Sequence, residues 1–223
     1  RFSKDQQDDL FPSASIGWVI DKESFFNSSL FNSLKLRVSY GEIGNQSLPA
    51  SNPDVNISAL NDNTAFYSFT GDRGNVSTGA ALASVGNPNL TWETSVTQNI
   101  GLDFAMLNSK LSGSLEFFQN TTKNLIVRDN SVISTTAIDA GAPFVNKGEV
   151  QNTGVDFALN YSNEASSGLK YNINLNVSSY ENEVIALVND TPAFGDNFRE
   201  GSVTRTAVGE PISHFYGKPH DGL

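Results

Sequence analysis

From Thr91 to Met106 the chain alternates without interruption. Its even positions read Trp92, Thr94, Val96, Gln98, Ile100, Leu102, Phe104 and Met106, and its odd positions Thr91, Glu93, Ser95, Thr97, Asn99, Gly101, Asp103 and Ala105. A period of two describes a strand with one apolar and one hydrophilic face. Its length constrains the fold further, because a strand of a soluble sheet usually runs about five or six residues, whereas a tilted strand crossing hydrocarbon needs roughly nine to eleven. Trp92 and Phe104 share the apolar face, and at about 3.3 Å per residue and about 45° of tilt they bracket roughly 28 Å. That spacing predicts rings at the two borders of a bilayer; the alternative for each ring is a place in the core of a sandwich.

About seven segments carry such a pattern. Phe11 to Ile20 sets Ala14, Ile16, Trp18 and Ile20 against Ser13, Ser15, Gly17 and Val19, and Asp21-Lys22-Glu23-Ser24-Phe25-Phe26 then has the acidic first turn of a short helix. Leu34, Leu36, Val38 and Tyr40 oppose Lys35, Arg37 and Ser39, charges that need an aqueous lumen or solvent. The pattern fades between Gly41 and Leu90 into Asn, Ser, Gly and Pro, where a long loop is expected with a hairpin around Ala65 to Thr70. After the Thr91 strand, the tight turn Leu107–Lys110 leads to Leu111–Thr121, completing a hairpin. A second long loop covers Asn124 to Lys147. Glu149 to Tyr161 then pairs Val155, Phe157, Leu159 and Tyr161 against Asp156, Ala158 and Asn160. A turn at Ser162–Gly168 leads to Leu169, Tyr171, Ile173, Leu175 and Val177 opposite Lys170, Asn172, Asn174, Asn176 and Ser178, and a third long loop is expected from about Val184 to Thr206. Tyr161 and Tyr171 flank the turn and are placed in the girdle on that side.

The connections therefore run short, long, short, long, the habit of membrane barrels, whose short turns lie at one membrane face and long loops at the other. The expected class is all-β, an antiparallel transmembrane β-barrel of which this chain is a part. Composition does not oppose it. Mean hydropathy is -0.27 with 38% hydrophobic residues, and no stretch approaches the roughly twenty apolar residues of a membrane helix, but a barrel strand escapes that test because each lipid-facing residue is followed by a lumen-facing one. A net charge of -10 and the absence of any basic cluster exclude a nucleic-acid binder. With no cysteine there is neither a disulfide framework nor a thiolate metal site. The chain opens at Arg1 without an initiator Met or secretion signal, and Val208 to Gly217 begins an element that stops at Leu223, so both ends are expected to continue into further chain.

Candidate chemistry is sparse. His214, His220 and Asp221 fit no standard metal spacing. Glu181-Asn182-Glu183 and Gly195-Asp196-Asn197 supply oxygens but reproduce no twelve-residue calcium loop. Sequons such as Asn45-Gln46-Ser47 and Asn176-Val177-Ser178 follow from an Asn-rich composition. Glu93 and Asp103 are about 33 Å apart by strand rise, too far for an acid and base pair, and read as lumen or gate charges. No catalytic, cofactor or metal residue is therefore assigned. An enzyme is not expected.

Five blocks in order resemble the SusC/RagA family of TonB-linked outer-membrane transporters of Bacteroidetes. Phe11-Pro12-Ser13-Ala14-Ser15-Ile16-Gly17-Trp18, with Glu23-Ser24-Phe25-Phe26, is similar to the first. Leu34-Lys35-Leu36-Arg37-Val38-Ser39-Tyr40-Gly41 with Gly44-Asn45-Gln46 is similar to the second. Asn87-Pro88-Asn89-Leu90-Thr91-Trp92-Glu93-Thr94 with Asn99-Ile100-Gly101-Leu102-Asp103-Phe104 matches the third. Asn146-Lys147-Gly148-Glu149-Val150-Gln151-Asn152-Thr153-Gly154-Val155-Asp156 resembles the fourth, with Asp156 where an acidic residue is usual, and Val208-Gly209-Glu210-Pro211-Ile212 with Phe215-Tyr216-Gly217 the fifth. Gly17, Gly101 and Gly154 suit strand curvature or close neighbours.

The resemblance implies a large barrel closed by an N-terminal plug, of which residues 1–223 form part of one barrel domain, with extracellular loops at about 41–90, 124–147 and 184–206. It implies a place in the outer membrane and import of glycans or peptides, with a SusD-like lipoprotein over the loops and TonB engaged through a region outside this chain. The competing expectation is a secreted all-β adhesin or carbohydrate-binding module, whose strands would form two packed sheets with apolar faces inward.

Overall fold

The computed structural model describes residues 2–47, 59–69, 71, 76–129, 131, 141–190, 192–194, 197–198 and 201–217. Its strands are β1 (Ser13–Val19), β2 (Phe31–Asn45), β3 (Ala59–Tyr67), β4 (Ser77–Ser84), β5 (Glu93–Met106), β6 (Leu111–Lys123), β7 (Ile126–Arg128), β8 (Phe144–Asn146), β9 (Glu149–Glu164) and β10 (Lys170–Ala186). Short strands follow: β11 (Ala193–Phe194), β12 (Asn197–Phe198), β13 (Gly201–Ser202), β14 (Thr204–Thr206) and β15 (His214–Phe215). The chain divides into two compact units. One comprises Phe11–Ile43, Ser95–Thr122 and Glu149–Leu223, the other Arg1–Leu10, Gly44–Thr94 and Lys123–Gly148.

The first unit is built on a six-stranded sheet in the order β1-β2-β5-β6-β9-β10. Neighbours in the sheet follow one another in the chain apart from the small hairpins β3-β4 and β7-β8, and β1-β2, β6-β9 and β9-β10 pair antiparallel. The connections between successive strands of this sheet alternate in length, short at 20–30, 107–110 and 165–169 and long at 46–92 and 124–148. Strand faces follow the predicted alternation: Ile16 lies opposite Val38 and Trp18 opposite Leu36, while Gly17 faces Arg37.

No second layer covers the apolar face among the described residues. Ile16 is 76% exposed, Ile100 48% and Leu175 50%, and Leu102 and Leu115 are only half-buried. A sandwich would bury these side chains between its sheets, so the two-sheet alternative is overturned.

Several boundaries differ from the sequence reading. β2 continues past Tyr40 to Asn45, through residues read as loop, because its ladder does not need side chains: Gly41 pairs with Ser13 and Glu42 N–H donates to Pro12 O at 2.9 Å. β10 likewise runs to Ala186, with a register shift between Val184 and Ala186 that displaces the expected loop start. The hairpin expected around Ala65–Thr70 is longer, with β3 and β4 in register from Ala59↔Ser84 to Tyr67↔Ser77; Thr70 lies outside the described residues. The short helical turn expected after β1 is a 3-10 turn, Ile20–Lys22, in which Asp21 is an internal residue and not the cap; its carboxylate accepts Leu34 N–H at 2.8 Å and Ser33 Oγ–H at 3.3 Å. Trp92 precedes β5 and packs on a local cluster of its own unit. Its ring lies 5.8 Å from that of Phe2, against a cluster of Phe2, Leu90, Ile126 and Phe144 in the second unit. The alternation of Thr91–Met106 is silent on this, because a residue one place outside the ladder is free to turn towards a local core.

Candidate functional site

The hydrophilic face of the sheet holds the charges and amides that the alternation collected. Arg37 of β2 donates from Nε to Asp103 Oδ2 at 2.8 Å and from Nη2 to Asp103 Oδ1 at 3.1 Å, and Nη2 also reaches Glu116 Oε2 at 3.1 Å. One guanidinium thus joins β2, β5 and β6. Gly101 makes room for it, since a Cβ there would stand 3.0 Å from Arg37 Nη2. The Arg37 and Asp103 side chains are 38% and 37% exposed, so solvent screening holds the pair's contribution to no more than about 1 kcal/mol. Asp156 stands directly across from Glu116, a third carboxylate beside Asp103 and Glu116.

Nearer the long-connection end, Asn120, Asn152 and Asn182 occupy one row of β6, β9 and β10. Asn182 Nδ2 donates to Asn152 Oδ1 at 2.8 Å. Asn120 Oδ1 and Asn99 Oδ1 are buried with no hydrogen-bond partner among the described residues. In the adjacent row Gly154 lies between Phe118 and Tyr180, and a Cβ on it would fall 2.6 Å from Phe118 Cζ and 2.7 Å from Tyr180 Cβ. Towards the short turns, Asn160 Nδ2 donates to Asn172 Oδ1 at 3.0 Å, and Asn174 Nδ2 to the same oxygen at 2.7 Å. These amides donate and accept at once, which suits a passage for polar solutes or contact with another polypeptide.

The third long connection returns to β10. Gly209, at φ +81°, donates its N–H to Val184 O at 2.8 Å, Val184 N–H donates to Glu210 O at 3.0 Å, and Ile212 N–H reaches Asn182 Oδ1 at 2.8 Å. The Val208–Ile212 block is thus a clasp on the strand edge.

The second unit has its own clamp, which the sequence reading missed. Asn146 Oδ1 accepts Thr91 N–H at 2.8 Å while its Nδ2 donates to Thr91 O at 2.8 Å and Asn124 O at 3.0 Å. Asn87 Nδ2 donates to Phe144 O at 2.8 Å. Glu93 accepts Ile126 N–H at 2.8 Å and Asn45 Nδ2–H at 2.7 Å. Asn87, Glu93 and Asn146 all stand in the blocks quoted above, and their amides and carboxylate satisfy backbone groups that loops leave open. The signal available in sequence was Asn and Glu beside Pro and Gly at loop ends.

The remaining candidates do not converge. His214 Nδ1 lies 3.0 Å from Pro211 O, and His220, Asp221, Gly195 and Asp196 lie outside the described residues. Glu181, Asn182 and Glu183 are consecutive in β10 and so project to alternate faces. Asp103 sits on Arg37, whereas Glu93 serves the second unit's clamp. Among the described residues no three of His, Cys, Asp and Glu gather as metal ligands.

Comparison with known proteins gives a consistent family. The sequence profile described as TonB dependent receptor-like, beta-barrel, matches residues 1–213. A TonB-dependent receptor of Formosa agariphila is 31% identical over 220 residues, covering 97% of this chain and 21% of that protein. The TonB-dependent receptor SusC of Bacteroides thetaiotaomicron is 28% identical over 226 residues, 97% of this chain and 22% of SusC. The chain therefore spans about a fifth of the length of these curated relatives. The structure of the RagAB peptide transporter superposes with a TM-score of 0.76 at 22% identity, over 96% of this chain and 22% of that one, a likeness of fold.

Proposed function

The chain belongs to the TonB dependent receptor-like β-barrel family, a family of transporters and receptors in the outer membrane, and from this we propose that it is wall and loops of an importer for glycans or peptides. Residues 1–223 are then part of one barrel domain. The apolar stripes face acyl chains, the Arg37 cluster and the amide rows face the lumen, and the connections 46–92, 124–148 and 187–203 stand on the extracellular side, where a SusD-like lipoprotein covers them. TonB supplies energy through a region outside this chain. The observation that carries the reading is a single-layer sheet of strands up to 17 residues long, apolar on one face and amide-rich on the other, in a chain whose relatives are TonB-dependent receptors.

The test is uptake by the host organism with and without the gene, using fluorescent oligosaccharides and fluorescent peptides, each with and without an uncoupler. Energy-dependent uptake of one class should disappear on deletion and return with the wild-type gene. Unchanged uptake of both classes contradicts the proposal.

A further inference from the structure

Two aromatic residues stand on the hydrophilic face of the six-stranded sheet. Phe118 of β6 and Tyr180 of β10 flank Gly154 of β9 in a single row, and Phe118 shares the face of Glu116 because the two are separated by one residue of an extended strand. A Cβ on Gly154 would fall 2.6 Å from Phe118 Cζ. The far end of that ring therefore reaches across the neighbouring strand, and the ring is laid along the sheet instead of standing away from it. Tyr180, on the other side of the glycine, is 67% exposed. Phe118, Gly154 and Tyr180 thus make a low aromatic platform two strand spacings wide, roughly 10 Å, room enough for a sugar ring.

The borders of the platform narrow the chemistry of its ligand. On one side lies the amide row of Asn120, Asn152 and Asn182, in which Asn182 Nδ2 donates to Asn152 Oδ1 at 2.8 Å. On the other side lies the row of Glu116, Asp156 and Ser178. An apolar floor between two hydrogen-bonding rims matches a saccharide, whose C–H faces cover aromatic rings while its hydroxyls donate to amide and carboxylate oxygens and accept from amide N–H. A peptide is matched less well, because a peptide main chain is recognised by adding a strand to an open sheet edge, and β6 and β9 under the platform have a partner strand on both sides. Charge narrows the class further. Asp103, Glu116 and Asp156 stand against the one guanidinium of Arg37, which bonds the first two, and the excess of negative charge repels a uronate or sulfate group.

We propose that Phe118 and Tyr180 form a stacking subsite for a neutral oligosaccharide on the wall of the passage, with Asn152, Asn182 and Asp156 bonding its hydroxyls and the carboxylates rejecting acidic sugars. The inference rests on the importer reading given above and commits it to neutral glycans, over peptides and over anionic glycans.

The test uses the full-length transporter in detergent, applied to an array of neutral oligosaccharides (glucans, mannans and xylans), oligouronates, sulfated oligosaccharides and short peptides. Wild-type protein should bind at least one neutral oligosaccharide and no acidic chain of the same length. Tyr180→Ala should weaken that binding about tenfold, and so should Phe118→Leu, which keeps a cover over Gly154 but removes the ring. Tyr180→Phe should retain it, and Asp156→Asn should admit acidic chains, each variant being folded by circular dichroism. A wild type that binds no neutral oligosaccharide, that prefers acidic chains or peptides, or whose binding is unchanged in both ring-removing variants overturns the proposal and leaves the importer reading standing. Uptake of sugars and peptides alike that persists after deletion of the gene overturns both.

Discussion

At the scale of single residues, two environments make sharp predictions. Gly154 has no room for a methyl group: the nearest atoms to a Cβ would be Phe118 Cζ at 2.6 Å and Ser179 O and Tyr180 Cβ at 2.7 Å. Gly154→Ala should therefore destabilise the folded barrel by about 1–3 kcal/mol, the range for overpacking, read as a lower urea midpoint of the full-length protein. Gly41→Ala, where the nearest atom is Ser13 Cβ at 3.6 Å, should leave the midpoint nearly unchanged. Asp21 makes a pH prediction. The Leu34 N–H above all, with Ser33 Oγ and Lys22 adding to it, holds its carboxyl below the usual carboxylate range against an opposing desolvation effect. A group depressed in the folded state stabilises it at pH above its unfolded value and loses that contribution as pH falls through the folded value. Exchange protection at the Leu34 amide should therefore drop in acid in the wild type, and the same drop should be missing in Asp21→Asn. An acid-insensitive Leu34 amide in the wild type would refute the assignment.

At the scale of elements, the loop unit and the β5–β6 turn carry the constraints that alternation leaves out. Asn146→Ala removes the partner of Thr91 N–H, Thr91 O and Asn124 O together. Thr91 is half-buried and Asn124 exposed, so the loss is about 0.5–1.5 kcal/mol for each bond, and limited proteolysis should cut the 124–148 connection sooner while cleavage within β9 and β10 stays unchanged. Such local opening is the expected response of a unit with a small core of its own. The tight turn Leu107–Lys110 was legible, but not its cost: Leu107, Asn108 and Ser109 all adopt positive φ, at 56°, 56° and 62°. Glycine accepts that region freely. Ser109→Gly should raise the unfolding midpoint, by about 1 kcal/mol in free energy. The ends of β2 and β10 were misread for a related reason. Gly41 looks like punctuation, yet its ladder partner Ser13 holds it extended whatever its propensity.

At the scale of the molecule, the sheet order leaves β1 and β10 as its edges, and among the described residues the Val208–Ile212 segment is what bonds to the free edge of β10, at one end. A barrel removes such edges by closure. The 223 residues expressed alone should consequently aggregate or stay unfolded in detergent-free buffer, as seen by sedimentation and circular dichroism; a soluble, monodisperse monomer would contradict the proposed place of this sheet in a larger wall.

The alternation from Thr91 to Met106, and its counterparts around Val38, Leu115, Phe157 and Leu175, determined strand identity, register parity and which residues share a face, because successive side chains of any extended chain project to opposite sides. Tertiary structure alone decided that these apolar faces meet no second sheet among the described residues, that Trp92 turns into a core with Phe2, and that Arg37, Asn87, Glu93 and Asn146 find the partners they do. Those outcomes depend on contacts between segments tens of residues apart, and no local stereochemical preference encodes which distant backbone group a side chain will reach.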